Sequence, residues 1–409
     1  MAEPLPETTS GGTQTAYDVL QDAAEPAALA KDDFDRDVWC LMGLPADVSG
    51  VDQAMAAIDQ AVRANRKLSF VTPNVNWLVR ALRDSTARQE ILNADLSLVD
   101  GAPLVMMAKL LGIPIRSRVA GSDLFEALRR RPGFVGSKLK VFFFGGREGA
   151  AEAAAKAVND ENGGVRAVGF LNPGHGDVES MSTQAVIKEI NANKPDFVVV
   201  ALGAAKGQAW IECNRERLTA PVTAHLGAVI DFTAGGVARA PRWMQSAGLE
   251  WAWRIKEEPS LWRRYLKDGL SLIHLMATCL APQLVRLTDS GQPAAADVRH
   301  LADETHVMLS GDLRRESLAP VRDAFRACAA SGRVVCLDFT KVESFDRAFL
   351  GLVLMLEAHL ARSGGQIVLV GASPSQRRLF KANNMNYAAR DRDSAEKPAG
   401  ETMQREAAV

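Results

Sequence analysis

Two unbroken apolar runs, each ended by glycine and followed by a helical pattern, constrain the fold most. From Lys138 the chain reads K-L-K-V-F-F-F-G-G-R-E-G-A-A-E-A-A-A-K-A-V, and from Pro195 it reads P-D-F-V-V-V-A-L-G-A-A-K-G-Q-A-W-I. A strand that is apolar at every position is buried on both faces, as happens in a parallel sheet covered by helices. Further strand-like runs start at Val38, Leu68, Asp95, Val165 and Pro221. Helical spacing follows from Val51, after Pro73, from Ala102 to Leu111 and from Met181 to Asn193. This alternation predicts an α/β domain with a mainly parallel sheet.

At 409 residues the chain exceeds a usual single domain, and 47% apolar content supports more than one core. Residues 1–36 are rich in Pro, Gly, Thr, Ala and acid and read as a disordered lead-in. The first α/β domain spans 37–238, and a stretch of different character covers 239–287. Residues 288–303, beginning T-D-S-G-Q-P-A-A-A-D-V-R, read as a polar linker. Strands opening at Thr305, Arg333 and Gln366 alternate with helices at Arg315–Ser331, Phe349–Ser363 and Ser375–Asn383. They form a small α/β unit over 304–389, and 390–409 reads as a disordered tail.

Five scattered cysteines, without C-x-x-C or a histidine at ligand spacing, point to a reducing compartment and away from a structural zinc site. The start of the chain lacks the basic and apolar regions of a secretory signal. The apolar run Leu270 to Pro282 falls short of the roughly 20 residues that span a bilayer. The expectation is a cytoplasmic protein with peripheral membrane contact and no nucleic-acid partner; self-association is left open.

Residues 239–287 carry four of the seven tryptophans: Trp243, Trp251, Trp253 and Trp262. Arginine presents a planar fork of donors suited to phosphate, and tryptophan suits the boundary between hydrocarbon and water. The stretch therefore reads either as a surface meeting a phosphate-bearing ligand at a membrane face or as a solvated amphipathic helix pair.

Open α/β sheets bind ligands at the carboxyl ends of strands, near helix N-termini. Four turns qualify: Thr72-Pro73-Asn74, Asp100-Gly101, Gly145-Gly146 and Gly203-Ala204-Ala205-Lys206. Each has a plainer reading as a turn or a helix cap. No G-x-G-x-x-G fingerprint and no Walker A sequence is present, which counts against a dinucleotide oxidoreductase and a P-loop NTPase.

T-P-N at Thr72, V-D-G at Val99, V-A-G-S-D-L at Val119, G-x-x-K at Gly203 and R-A-P-R-W-M-Q-S-A-G-L-E-W-x-W-R-x-x-x-E-P-S-L-W-R-R-Y-L from Arg239 occur in this order. Together they resemble the WecG/TagA/CpsF family of bacterial glycosyltransferases over about residues 38–267. The resemblance implies a Rossmann-like domain with a helical C-terminal appendage. It implies inverting transfer of a sugar (N-acetylmannosamine, glucose or related) from a UDP-sugar to a polyprenyl-diphosphate-linked saccharide at the cytoplasmic membrane face. Such transfer serves cell-envelope or exopolysaccharide assembly and uses no metal or other cofactor. Asp100 matches the proposed general base. Thr72, Asn74, Gly121, Ser122, Asp123, Gly145, Gly146, Gly203, Lys206, Gln208 and Asp231 are the matching donor and acceptor positions. Arg239, Arg242, Arg254, Arg263 and Arg264 are the phosphate-binding lid. The resemblance covers Arg239 to Lys267 as an active-site lid and leaves Leu270 to Leu287 as an interfacial helix. Where the family has G-x-P-K-Q-E-x-W-I, this chain has G-A-A-K-G-Q-A-W-I. Gly207 and Gln208 stand in place of an amide and a carboxylate, which opens an alternative: a non-catalytic scaffold that binds UDP or lipid. His175 is a further loop candidate.

Residues 304–389, with G-D-L at Gly311 and L-D-F-T-K-V-E-S-F-D from Leu337, resemble a STAS domain. Where such domains carry D-S-S-G-L-G around a phosphorylated serine, this chain has D-R-A-F-L-G from Asp346. Without a hydroxyl at Arg347 or Ala348 no phosphate can be placed there. The expected role is a protein-docking or regulatory module rather than an enzyme; the plainer reading is passive dimerisation or spacing.

Overall fold

The structure is a computed structural model that describes residues 32–132, 138–236, 240–241, 243–244, 248–283, 291–301, 303–329 and 334–391. The expected disordered ends fall largely outside these residues, as do Arg239 and Arg242. Residues 32–36, expected within the lead-in, are described, and Phe34 is fully buried.

A hairpin of β1 (Val38–Leu41) and β2 (Leu44–Asp47) precedes α1 (Val51–Arg63). There follow β3 (Leu68–Val71), α2 (Val75–Ala81), α3 (Ser85–Leu92), β4 (Leu96–Ser97), α4 (Ala102–Leu110) and α5 (Gly121–Arg130). Next come β5 (Leu139–Gly145), α6 (Ala150–Asp160), β6 (Val165–Leu171), α7 (Gln184–Ala192), β7 (Phe197–Ala201), α8 (Ala204–Asn214), β8 (Val222–His225) and α9 (Val229–Thr233). Strands β3 to β8 form one parallel sheet in the order β4-β3-β8-β7-β5-β6. Strand β5 shows why its sequence is apolar throughout. Val141 and Phe143 pack with Ile58, Phe125 and Val158 on one face. Phe142 and Phe144 pack with Ile187, Trp210 and Ile211 on the other. The pleat sends alternate side chains to opposite faces, so both must be apolar.

The appendage holds α10 (Glu250–Glu257) and α11 (Trp262–Leu275), followed by a π-helical turn at Met276–Leu280. Helix α11 runs without a break through the expected division between lid and interfacial helix. The second domain is a five-stranded sheet, with β9 (Ala295–His300), β10 (Glu304–Leu313), β11 (Val334–Phe345), β12 (Gln366–Val370) and β13 (Ala388–Arg390). Its helices are α12 (Ala319–Ala329), α13 (Arg347–Arg362) and α14 (Pro374–Ala382). Strand β9 lies in the expected linker and pairs antiparallel with β10.

The two domains share one core. Phe34, Val38, Trp39, Leu41 and Trp77 belong to the same apolar cluster as Phe325, Phe349, Leu352, Leu356 and Phe380. Helix α13 lies against the backbone of β1 so closely that a Cβ on Gly351 would stand 2.3 Å from the Val38 carbonyl oxygen. Charged pairs frame this contact. Arg88 of α3 grips Glu357 of α13 with both guanidinium arms, and Tyr387 donates to the same carboxylate at 2.6 Å. Arg315 donates to both oxygens of Asp37. Among the described residues, no helix is long and apolar enough to cross a membrane.

Candidate active site

The carboxyl ends of β3 and β4 bring Asn74 and Asp100 to one cavity of about 380 Å³, shared with Arg118 and with Glu250, Arg264, Tyr265 and Asp268 of the appendage. Asn74 caps α2, its side chain accepting from the Asn76 and Trp77 amides, and also lines the cavity. The cap and pocket readings of this residue hold together. Asp100 follows β4, its amide donating to Pro73 O at 2.9 Å. The next residue, Gly101, has φ +94°, a conformation costly for any side chain, and sets up the start of α4.

The Asp100 carboxyl retains 22% exposure. Burial pushes it up to about 7; Arg118 opposes this, while Glu250 and Asp123 reinforce it. Arg118 is the hub. Its guanidinium lies 4.0 Å from Asp100, 3.4 Å from Asp123 and in direct contact with Glu250. Sequence reasoning missed Arg118 and Glu250. Arg118 stands just before V-A-G-S-D-L, and Glu250 is the acid in the G-L-E-W run.

A second cluster lies beyond β5. Gly145 and Gly146 both have positive φ, and Arg147 approaches Asp231 at 4.0 Å and Glu258 at 3.5 Å. Arg147, Arg254 and Glu258 border a recess of about 310 Å³, and Arg254 lies over the Phe232 ring. The appendage is thus fastened to the sheet domain by its acids, Glu250 at one cluster and Glu258 at the other, while Arg254 borders the recess and Arg264 the Asp100 cavity.

The remaining candidates divide. Thr72 and Gly121 meet: a Cβ on Gly121 would stand 3.5 Å from Thr72 Oγ1 and 2.5 Å from Leu226. Ser122 and Asp123 occupy the first turn of α5. Gly203 follows β7 and caps the start of α8 with φ +80°. Lys206 donates to Gly176 O at 2.7 Å, tying down the loop that carries exposed His175 rather than entering the Asp100 cavity. Gln208 is buried within α8, bonded to Glu212 at 3.3 Å, and lines neither cavity. Arg263 is exposed and stacks over Trp262 at 5.5 Å, outside both clusters. In the second domain, donor atoms of Glu304, His306 and Cys336 fall within 4.8 Å of one another. A cation there would have to displace Arg390 from Glu304 and deprotonate a thiol that burial pushes up to about 12.

The site is a carboxylate at a strand end of a parallel α/β sheet, roofed by an arginine-bearing helical cap. Residues 39–284 match the glycosyl transferase WecG/TagA/CpsF family, and the chain belongs to that family. It is 32% identical over 202 residues to the N-acetylglucosaminyldiphosphoundecaprenol N-acetyl-beta-D-mannosaminyltransferase of Bacillus spizizenii, covering 49% of this chain and 76% of the relative. It is 30% identical over 210 residues to the enzyme of the same description from Bacillus subtilis, covering 51% and 77%. Residues 296–387 match a STAS domain of the Mlab kind. The unphosphorylated anti-sigma factor antagonist SpoIIAA is similar to 28% of this chain over its whole length, at 18% identity and TM-score 0.22.

Proposed function

We propose that the chain transfers N-acetylmannosamine, or a closely related hexose, from a UDP-sugar to a polyprenyl-diphosphate-linked saccharide, with inversion and without a metal. The observation that carries this reading is Asp100, at a strand end inside a cavity roofed by the appendage. The Bacillus relatives, named for a lipid-diphosphate acceptor, support the substrate class. The acceptor hydroxyl attacks the anomeric carbon while Asp100 takes its proton, and the bond to UDP breaks on the opposite face. Arg254 and Arg264 face the charge that grows on the departing diphosphate. Among the described residues Trp262, Leu266, Leu270 and Ile273 are exposed at helical spacing beside Arg263 and Lys267. This row seats the appendage at an anionic membrane surface, on the cytoplasmic side where the sugar nucleotide is met.

The test is a panel of UDP-sugars with a synthetic N-acetylglucosaminyl-diphosphate-lipid acceptor, with and without EDTA. Wild type transfers one sugar under both conditions, and Asp100→Asn loses at least about 100-fold in kcat. Unchanged turnover in Asp100→Asn would remove the base assignment, and loss of turnover with EDTA would remove the metal-free mechanism.

A further inference from the structure

Helices α2 and α11 line two neighbouring spaces, of which the first also holds the charged groups of Asp100, Arg118, Glu250 and Arg264. Toward the sheet edge, Asn76, Asp268 and Leu272 face the Asp100 cavity. Beside it, Val79, Leu82, Leu270 and Leu275, together with Arg83, Ser271 and His274, line a groove of about 450 Å³. On α2, Val79 lies three positions past Asn76, about one helical turn; on α11, Leu270 and Leu275 lie two and seven positions past Asp268, so the two spaces meet different faces of that helix. Asn76 donates to Asp268 at 3.2 Å, tying α2 to α11 on the side of the Asp100 cavity. Of the polar residues that line the groove, Arg83 donates to Ser271 at 3.2 Å, and His274 is exposed. Leu270, at 61% exposure, belongs both to the groove and to the exposed row on α11.

We propose that this groove binds the first isoprene units of the acceptor's lipid chain. The inference rests on the transfer reaction proposed above and adds to it a place for the tail. A molecule with a charged sugar-diphosphate head and a hydrocarbon tail matches a cavity bearing Arg118 and Arg264 beside a groove lined by Val79, Leu82, Leu270 and Leu275. The groove volume lies in the range of small-ligand sites, about 300–1,000 Å³. The chain leaves past Leu270 along the row of Leu266, Leu270 and Ile273, and so passes from protein to bilayer without crossing water. The groove thereby selects acceptors for the tail as well as the sugar.

The experiment compares binding of farnesyl diphosphate and inorganic diphosphate to the full chain by calorimetry, below the critical micelle concentration. Wild type binds the farnesyl compound at least about tenfold more tightly, as burial of several CH2 groups requires. Leu82→Glu and the exposed Leu270→Glu each bring that preference below about threefold while leaving diphosphate binding unchanged. Circular dichroism identifies a variant that fails to fold, and the other then carries the test. No farnesyl preference in wild type overturns the proposal. So does an equal loss of both ligands in the folded variants, or a change in their oligomeric state, which would assign the groove to a second copy of the chain. A farnesyl preference with no sugar transfer from any UDP-sugar would leave the groove standing and remove the reaction instead.

Discussion

Arg347 donates to the main-chain oxygen of Gln283 at 2.7 Å. The arginine occupies a position where related STAS domains carry a hydroxyl, and Gln283 ends the described part of the appendage. The Gln283 side chain in turn donates to Ala382 O at 3.2 Å. The second domain therefore uses this helix N-terminus to hold the end of the appendage of the first. At the position where no phosphate can be placed, the side chain serves a contact within the chain instead. Arg347→Ala should cost about 1–3 kcal/mol, the range for a buried acceptor left unpaired. It should raise the acceptor KM more than it lowers kcat, because the arginine is remote from the reacting atoms. Thermal unfolding and steady-state kinetics on the lipid acceptor check both.

The Asp100–Arg118–Glu250 group sets a pH dependence. Asp100 rises from an ordinary 3.8 to about 7, first through burial. As a base it must be ionised, so kcat/KM should climb as pH rises through about 7. Glu250→Gln removes a negative neighbour and should move that midpoint down; Arg118→Met removes the opposing positive charge and should move it up. Stability has the opposite sign. Between about 4 and 7 the unfolded chain releases this proton and the folded chain keeps it, so folding is penalised as pH rises. Asp100→Asn should therefore unfold at a higher temperature than wild type at pH 8, with a smaller difference at pH 4. Parallel pH–rate and pH–melting profiles measure the two signs independently.

Arg88 and Glu357 join the domains in a largely buried pair that also satisfies Tyr387. Burial pushes the Tyr387 hydroxyl well up, with the neighbouring Glu357 reinforcing this, so it stays a donor. Arg88→Ala leaves a carboxylate buried without its cation and should cost about 3–5 kcal/mol. Because the apolar cluster is continuous between the domains, calorimetry of wild type should show one transition. Two resolved transitions in wild type would contradict a shared core.

The parallel sheet was readable because strands buried on both faces leave unbroken apolar runs, as at Phe142 to Phe144. Strand β9 was not, because it is an edge strand with mostly exposed side chains, and its composition is that of a linker. The packing of residues 32–36 was hidden for another reason. Asp32 and Asp35 pair with Arg326, almost 300 positions away, so an acid-rich stretch that looks solvated is held by tertiary partners. Asp100 and Asn74 could be placed through motifs at strand ends. Arg118 became visible only when folding set it between three carboxylates that lie far apart in the chain.

Gly207 departs from the family pattern, and the structure supplies a packing reason. A Cβ there would stand 2.0 Å from His225 Cδ2 and 2.8 Å from Nε2. The imidazole at the end of β8 fills the space a side chain at 207 would take. Gly207→Ala should cost about 1–3 kcal/mol through overpacking. In Gly207→Ala/His225→Ala most of that cost should vanish, giving a coupling of similar size. His225 itself is lowered from 6.5 to about 4, first by burial and then by Arg80. The unfolded chain takes up this proton before the folded one, so stability should fall as pH drops from about 6.5 to 4. His225→Ala should flatten that part of the profile. Denaturant unfolding of the two single variants and the double variant at pH 7.5 and 4.5 tests both claims. Equal costs for Gly207→Ala with and without His225 would show that the clash is relieved elsewhere.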